Sequence, residues 1–195
     1  MTLAEYAQMI NGEKWLSDSK VCELIIVSCS NYNHDKSYSL PIRPSPNIPN
    51  DVAVKLYPSL GLFEGTNINA GRGTEFQFQQ YGAPFLDSAV MEFTYTPQPN
   101  FGAKNPKHNN VLCFGENLQN VLIKNQLSLK WLIKAYKNCV DKSQFFIEEG
   151  FTKHAGTATL QNQIEKGLTE EDIKATWKED LETFKNIRKK YLIYN

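Results

Sequence analysis

Hydrophobic positions along the chain switch between helical and strand spacing, and the switches predict the elements. Thr2-Leu-Ala-Glu5 has the form of a capping box, followed by Tyr6, Ala7 and Ile10 at helical spacing with Gly12 as the stop. Val21–Ser28 (VCELIIVS) is a β-branched apolar run that predicts a buried strand. From Asn31 to Asn50 the pattern dissolves, and Pro41, Pro44, Pro46 and Pro49 forbid a regular element there. A short helix capped by Asn50 or Asp51 is expected over Asp51–Tyr57. Leu60–Glu64 reads as a short strand entering a glycine-punctuated loop, and Val90–Thr96 and Val111–Leu118 as two further strands. The polar, Pro-, Gly- and Asn-rich connection Pro97–Asn110 between them is irregular.

Gln126–Val140 predicts a helix with Leu129, Leu132, Ile133 and Tyr136 on one face. The last helix opens on Thr169 and Asp172, with three acidic residues in its first turn, where the helix dipole favours them. Ile173, Trp177, Leu181, Phe184 and Tyr191 form a stripe that reads as core packing, and Lys185–Lys190 as a solvated basic helix end. Strands and helices in mixed order predict an α/β or α+β fold, a mixed sheet with flanking helices.

The 195 residues, 41% of them hydrophobic, suit a single domain over 1–195 with its own core. Lys plus Arg equals Asp plus Glu at 21 each, so no net charge favours nucleic acid or an anionic membrane surface as partner. No apolar run reaches the roughly 20 residues of a membrane span, and Met1 leads directly into a helix and not into a signal peptide. Cys22, Cys29, Cys113 and Cys139 have no C-x-x-C spacing and do not cluster with His34, His108 or His154, so no metal is expected. They read as mostly buried thiols, and any disulfide would involve Cys113 or Cys139. His34 in SNYNHDKS reads as exposed, and His108 in KNPKHNN either lines the rim of a cleft or, the safer reading, is a solvated loop residue. With no GxGxxG or P-loop, no nucleotide cofactor is expected.

Chemistry concentrates between Pro44 and Pro84. Gly61, Gly65, Gly71, Gly73 and Gly82 punctuate a stretch that interleaves Glu64, Thr66, Asn67, Asn69, Arg72, Thr74 and Glu75 with the aromatics Phe63, Phe76, Phe78 and Tyr81. Glycines let the backbone turn sharply, aromatic faces stack on sugars, and Glu, Asn and Arg bind hydroxyls and carboxylates. The same residues also build plain tight turns, with Arg72 paired structurally to Glu64 or Glu75.

LYPSLGLFEGTNINAGRGTEFQF, with PSPNIP before it, YGAPFLD after it and QIEKGLTEEDIKATWKEDLETFKNIRKKYLIY at the end, resembles the peptidoglycan exo-β-N-acetylmuramidase (NamZ-type) family. TLAEYAQMINGEKWL is similar to the segment leading into that family's second domain, so the resemblance spans essentially the whole chain. Asn69 stands where the family pattern has serine, and Gln77 where it commonly has proline.

The resemblance implies the smaller C-terminal domain of a two-domain periplasmic or secreted hydrolase. Residues 1–20 would be the inter-domain helix and linker, a Rossmann-like N-terminal domain would be absent, and the active site would lie in a cleft between the two. The substrate implied is a terminal N-acetylmuramic acid at the non-reducing end of peptidoglycan fragments, with no cofactor. Glu64 is then the catalytic candidate, with Arg72 for the lactyl carboxylate and Asn67, Thr66, Asn47 and Glu75 as further substrate contacts. Glycoside hydrolysis generally uses two carboxyl groups; the partner of Glu64 would be Glu75, Glu92 or a residue of the absent domain. Three roles fit Glu64: catalysis, acceptance of sugar hydroxyls, or a structural pair with Arg72. A non-catalytic carbohydrate-binding or interaction module is the alternative reading.

Overall fold

The capping box at Thr2 forms as its sequence predicts. The Glu5 amide donates to Thr2 Oγ1 at 3.3 Å and the Thr2 amide to Glu5 Oε2 at 2.6 Å, starting α1 (Leu3–Gly12). The computed structural model describes residues 1–147 and 149–194. These separate into two units, one made of residues 1–38 with the segment from Lys174 onward, the other of Ser39–Ile173.

In the first unit the Glu5 side chain, fully buried, does more than cap. Its Oε1 accepts from the amides of Ile193 at 2.8 Å and Tyr194 at 3.2 Å, and from His34 Nε2 at 3.0 Å. His34 is therefore half-buried against Glu5, with Tyr194 and Tyr32 edge-on nearby, and not the exposed loop residue its sequence context suggests. Tyr191 adds a second tie, donating to Glu13 Oε1 at 2.7 Å.

The predicted strand Val21–Ser28 does not form. The segment carries no regular secondary structure and has no ladder partner among the described residues, and Ile25 and Val27 are 90% and 88% exposed. β-branched residues suit a strand, but a strand needs an adjacent edge. Instead the Asn11 side-chain amide holds the Cys22 backbone, donating at 2.7 Å and accepting at 3.0 Å, and the Cys29 amide donates to Tyr194 Oη at 2.8 Å. The four thiols are free: Cys22 and Cys29 are exposed, whereas Cys113 and Cys139 are buried. Burial pushes the Cys113 thiol up to about 12 and raises that of Cys139.

The second unit has the expected mixture of helices and strands, α+β in arrangement, around a small sheet that is antiparallel throughout. Strands β1 (Gln80–Ala83), β2 (Phe93–Tyr95) and β3 (Cys113–Asn117) lie in the order β1-β3-β2, with Gly82 opposite Gly115 and Tyr95 opposite Cys113. The second and third are shortened forms of the predicted Val90–Thr96 and Val111–Leu118. An Asn69–Gly82 bridge, with reciprocal amide bonds of 2.9 Å, continues the pairing onto the glycine loop.

Asn50 caps α2 (Asp51–Leu60) by accepting from the Ala53 amide at 3.0 Å. The predicted strand Leu60–Glu64 is instead a 3-10 turn, Gly61–Gly65, that prolongs α2. It buries Phe63, which stacks on Tyr81 of β1 at 4.8 Å. Around them lie α3 (Lys130–Lys137, with Trp131, Leu132, Ile133 and Ala135 buried), α4 (Gly150–Ala155) and α5 (Thr159–Glu165).

The last predicted helix is two, α6 (Glu170–Thr176) and α7 (Lys178–Lys189), broken where the Trp177 amide donates to Lys174 O at 3.1 Å in a tighter turn. Of the predicted stripe only Ile173 is buried; Leu181 is 49% exposed. No helix among the described residues is long and apolar enough to cross a membrane.

Burial opposes ionisation of Glu5, but hydrogen bonds from the Thr2 and Ile193 amides, His34 and the Tyr194 amide outweigh it and lower its carboxyl from 4.5 to about 2. Because the folded value lies below the ordinary one, the stability it contributes is fully present above pH 4.5 and is lost as pH falls from 4.5 towards 2. Urea titrations across that range are expected to show falling stability for the native chain. Glu5→Gln should be weaker at neutral pH and flatter with acid.

Candidate active site

The turn Gly61–Gly65 sets Glu64 at the lip of a cavity of about 320 Å³, and the loop that follows brings Arg72 back beside it. Arg72 Nη1 donates to Glu64 Oε2 at 3.0 Å, with the two side chains 38% and 24% exposed, so the pair is neither fully buried nor free in solvent. Asn47, Tyr57, Phe78 and His154 line the same cavity. Tyr57 and Phe78 meet edge to face at 4.9 Å and supply an apolar surface beside the charges. Asn47 donates through Nδ2 to Gly102 O at 2.6 Å. Two buried polar atoms at this corner, Asn47 Oδ1 and Arg72 Nε, lack a hydrogen-bond partner among the described residues. Phe78 has φ +52, in the left-handed region where a bulky residue is strained, and it is held there by its amide bond to Ala70 O at 2.8 Å.

Of the six site residues expected from the sequence, the fold gathers Asn47, Glu64 and Arg72. Thr66 is fully buried within the loop: its hydroxyl donates to Phe63 O at 2.9 Å and accepts from the Ile68 amide at 3.1 Å. Asn67 lies on a separate cavity of about 440 Å³ with Pro84, Phe85, His108 and Gln144. Its Nδ2 donates to Gln144 O at 2.7 Å. Glu75 is exposed and does not line the Glu64 cavity, and neither does Glu92. Among the described residues no three His, Cys, Asp or Glu side chains gather as a metal site.

Sequence reasoning missed the residues that hold the loop from below. Lys107 Nζ lies 3.0 Å from Phe63 O, 3.3 Å from Glu64 O, 2.5 Å from Thr66 O and 3.4 Å from Ile68 O. Burial pushes its ammonium below the ordinary lysine range; the Glu64 carboxylate raises it and the Arg72 cation lowers it to lesser extents. His108 is half-buried, not solvated: its Nε2 donates to Asn67 O at 2.6 Å, its ring meets Phe85 edge-on, and burial lowers its pKa.

Asn69 braces the loop across its width. Its Nδ2 donates to Arg72 O at 3.0 Å and Lys107 O at 2.9 Å, while Tyr95 Oη donates to its backbone carbonyl at 2.9 Å. In the sequence, Pro97–Asn110 reads only as a polar, Pro-, Gly- and Asn-rich connection, so Lys107 carries no signal there.

Comparison with known proteins gives a consistent neighbourhood. The family profile described as the exo-β-N-acetylmuramidase NamZ C-terminal part matches residues 55–194, and the N-terminal part of the same family matches residues 1–52. The peptidoglycan β-N-acetylmuramidase NamZ of Bacillus subtilis is 33% identical over 214 residues, covering 100% of this chain and 50% of the relative. The chain thus spans about half the length of that curated relative. A crystal structure of a DUF1343 family protein from Bacteroides fragilis superposes with a TM-score of 0.94 at 45% identity, over 100% of this chain and 56% of that one. A second from the same organism, at 19% identity and a TM-score of 0.74 over 98% of this chain and 56% of that one, shares the fold.

Gly73 has φ +82, and a Cβ there would sit 2.7 Å from the Pro106 ring and 2.8 Å from Gln98 O. Gly73→Ala is expected to destabilise the fold by roughly 2–4 kcal/mol, from left-handed strain plus overpacking. Chemical denaturation of the purified variant measures it.

Proposed function

The chain belongs to the exo-β-N-acetylmuramidase NamZ family, and on that premise we propose that it forms one wall of the active-site cleft of a peptidoglycan glycoside hydrolase acting in the periplasm or outside the cell. The substrate is a terminal N-acetylmuramic acid glycoside at the non-reducing end. The observation that carries the reading is the Glu64–Arg72 pair at 3.0 Å in a cavity that Tyr57, Phe78 and Asn47 also line, with Ser45, Ile48 and His154. A sugar needs that combination: an apolar face to rest a ring on, and fixed polar groups for its hydroxyls and acid.

Arg72 spends Nη1 on Glu64, and the rest of its fork is suited to the planar lactyl carboxylate. Glu64, already in a charge-assisted bond, is suited to accept: it takes a sugar hydroxyl, or the proton of the attacking water as a general base. Tyr57 and Phe78 offer the surface for the ring. Protonation of the leaving oxygen requires a second carboxyl group on the other side of the bond. Glu75 and Glu92 lie off the cavity, so the reading assigns that group to an N-terminal domain, and the wall alone is inactive. Asn67 and His108, on the separate cavity, are candidates for contacts to the remainder of the fragment.

That the described residues lining the cavity include no second carboxyl group also favours the alternative, a carbohydrate-binding module that holds muropeptides and cleaves nothing. Titration of the isolated chain with a muropeptide, next to turnover by the complete natural protein, separates the two. Binding with no turnover by either would favour the module.

In the complete protein, Glu64→Gln is expected to lower kcat/KM on a chromogenic N-acetylmuramide by on the order of a hundredfold or more. Arg72→Ala should lower it on the muramide and spare the matching N-acetylglucosaminide, which lacks the lactyl group. Full turnover by both variants would remove the site assignment.

A further inference from the structure

The carbonyls of Phe63, Glu64, Thr66 and Ile68 converge on one point, and the Lys107 ammonium fills it at 2.5–3.4 Å. Converging carbonyl dipoles repel one another, so this backbone course holds only around a positive charge or a cluster of donors. Lysine suits the place: a compact charge with three donors on a thin stem can enter where a planar guanidinium would not. The Lys107 backbone is itself tied to the site, because Asn69 Nδ2 bridges Lys107 O and Arg72 O at 2.9 and 3.0 Å. One residue thus fixes the peptide carrying Glu64 and, through Asn69, the peptide carrying Arg72.

Resting on the reading of Glu64 and Arg72 as the working pair, we propose that Lys107 is a positioning residue for the reaction, acting through the orientation of Glu64 and not by touching substrate. Lys107 is not among the residues that line the cavity. Its hydrogen-bond partners are backbone oxygens, so it acts chiefly on the course of the loop, with a lesser through-space attraction to the Glu64 carboxylate. The depressed lysine pKa, lowered by burial and raised by the Glu64 carboxylate, agrees with a cation lodged beneath that side chain.

The test is a double-mutant cycle in the complete natural protein, with kcat and KM on a chromogenic N-acetylmuramide as readouts and thermal melting as the fold control. Lys107→Met should lower kcat by roughly tenfold to a hundredfold, the cost of displacing a working group by about 1 Å, with KM changed less than about threefold. In a Glu64→Gln background, where there is no working carboxylate left to aim, the same substitution should lower kcat by less than about threefold. Lys107→Gln, which keeps two donors and drops the charge, serves if Lys107→Met does not fold, and should show the same non-additivity with a smaller loss.

A Lys107 loss of equal size with and without Glu64 would overturn the positioning role, as would folded Lys107 variants with native kcat. Glu64→Gln with native turnover is a different result: it removes the site reading on which this role rests.

Discussion

Four backbone oxygens gathered round one ammonium are the constraint from which the rest of the site follows. The turn between Phe63 and Ile68 points its carbonyls at one place, and Lys107 brings the donors and the charge that meet them from a connection some forty residues on. Around it the segment Pro106–His108 works as a clasp. Pro106 packs where Gly73 has no side chain, Lys107 enters the carbonyl cluster, and His108 takes the Asn67 carbonyl. Burial of the ammonium lowers its pKa, and the carbonyl contacts give its N–H groups the partners they need away from water. Precision at Glu64 is therefore backbone precision, set before any side chain chooses a rotamer.

The sheet serves the same end. It is small, with three strands of five residues or fewer, and adds little area of its own. Its use is to present Tyr81 to Phe63 and to pair Gly82 with Asn69, so both ends of the loop are moored to the core. Between the moorings and just beyond them the loop divides its side chains. Glu64 and Arg72 face one cavity, Asn67 faces another, and Thr66 turns inward to close hydrogen bonds that would otherwise be left open. Alternation of outward and inward polar residues explains why a stretch so rich in sugar-binding residue types has only a few of them at one cavity.

Local signals were the legible ones. The Thr2 box and the Asn50 cap are decided by residues three apart, so sequence alone suffices. Glu64 and Arg72 stand eight residues apart within one glycine-bounded segment, close enough for their pairing to be anticipated. Val21–Ser28 has strand composition, but composition cannot supply the neighbouring edge that makes a strand. β1 was overlooked because Gln80-Tyr-Gly-Ala83 has neither alternation nor β-branching; its pairing with β3 is tertiary. Lys107 and His108 were beyond reach for the same reason: a lysine in a polar loop looks solvated until the carbonyls it meets are known. Asn69 could have been a clue. A serine there has one donor, whereas asparagine brings the two N–H groups that the Arg72 and Lys107 carbonyls share.

The distribution of thiols gives the chain built-in chemical reporters. Cys22 and Cys29 stand in solvent on an irregular segment, while Cys113 is interred in β3 with its ionisation suppressed and Cys139 is shielded. A maleimide dye or nitroxide spin label will therefore mark the first pair and pass over the second as long as the sheet stays closed. Distances and mobilities in the N-terminal segment become measurable without engineering a cysteine. The delayed alkylation of Cys113 becomes a clock for the opening of the sheet that moors the glycine loop.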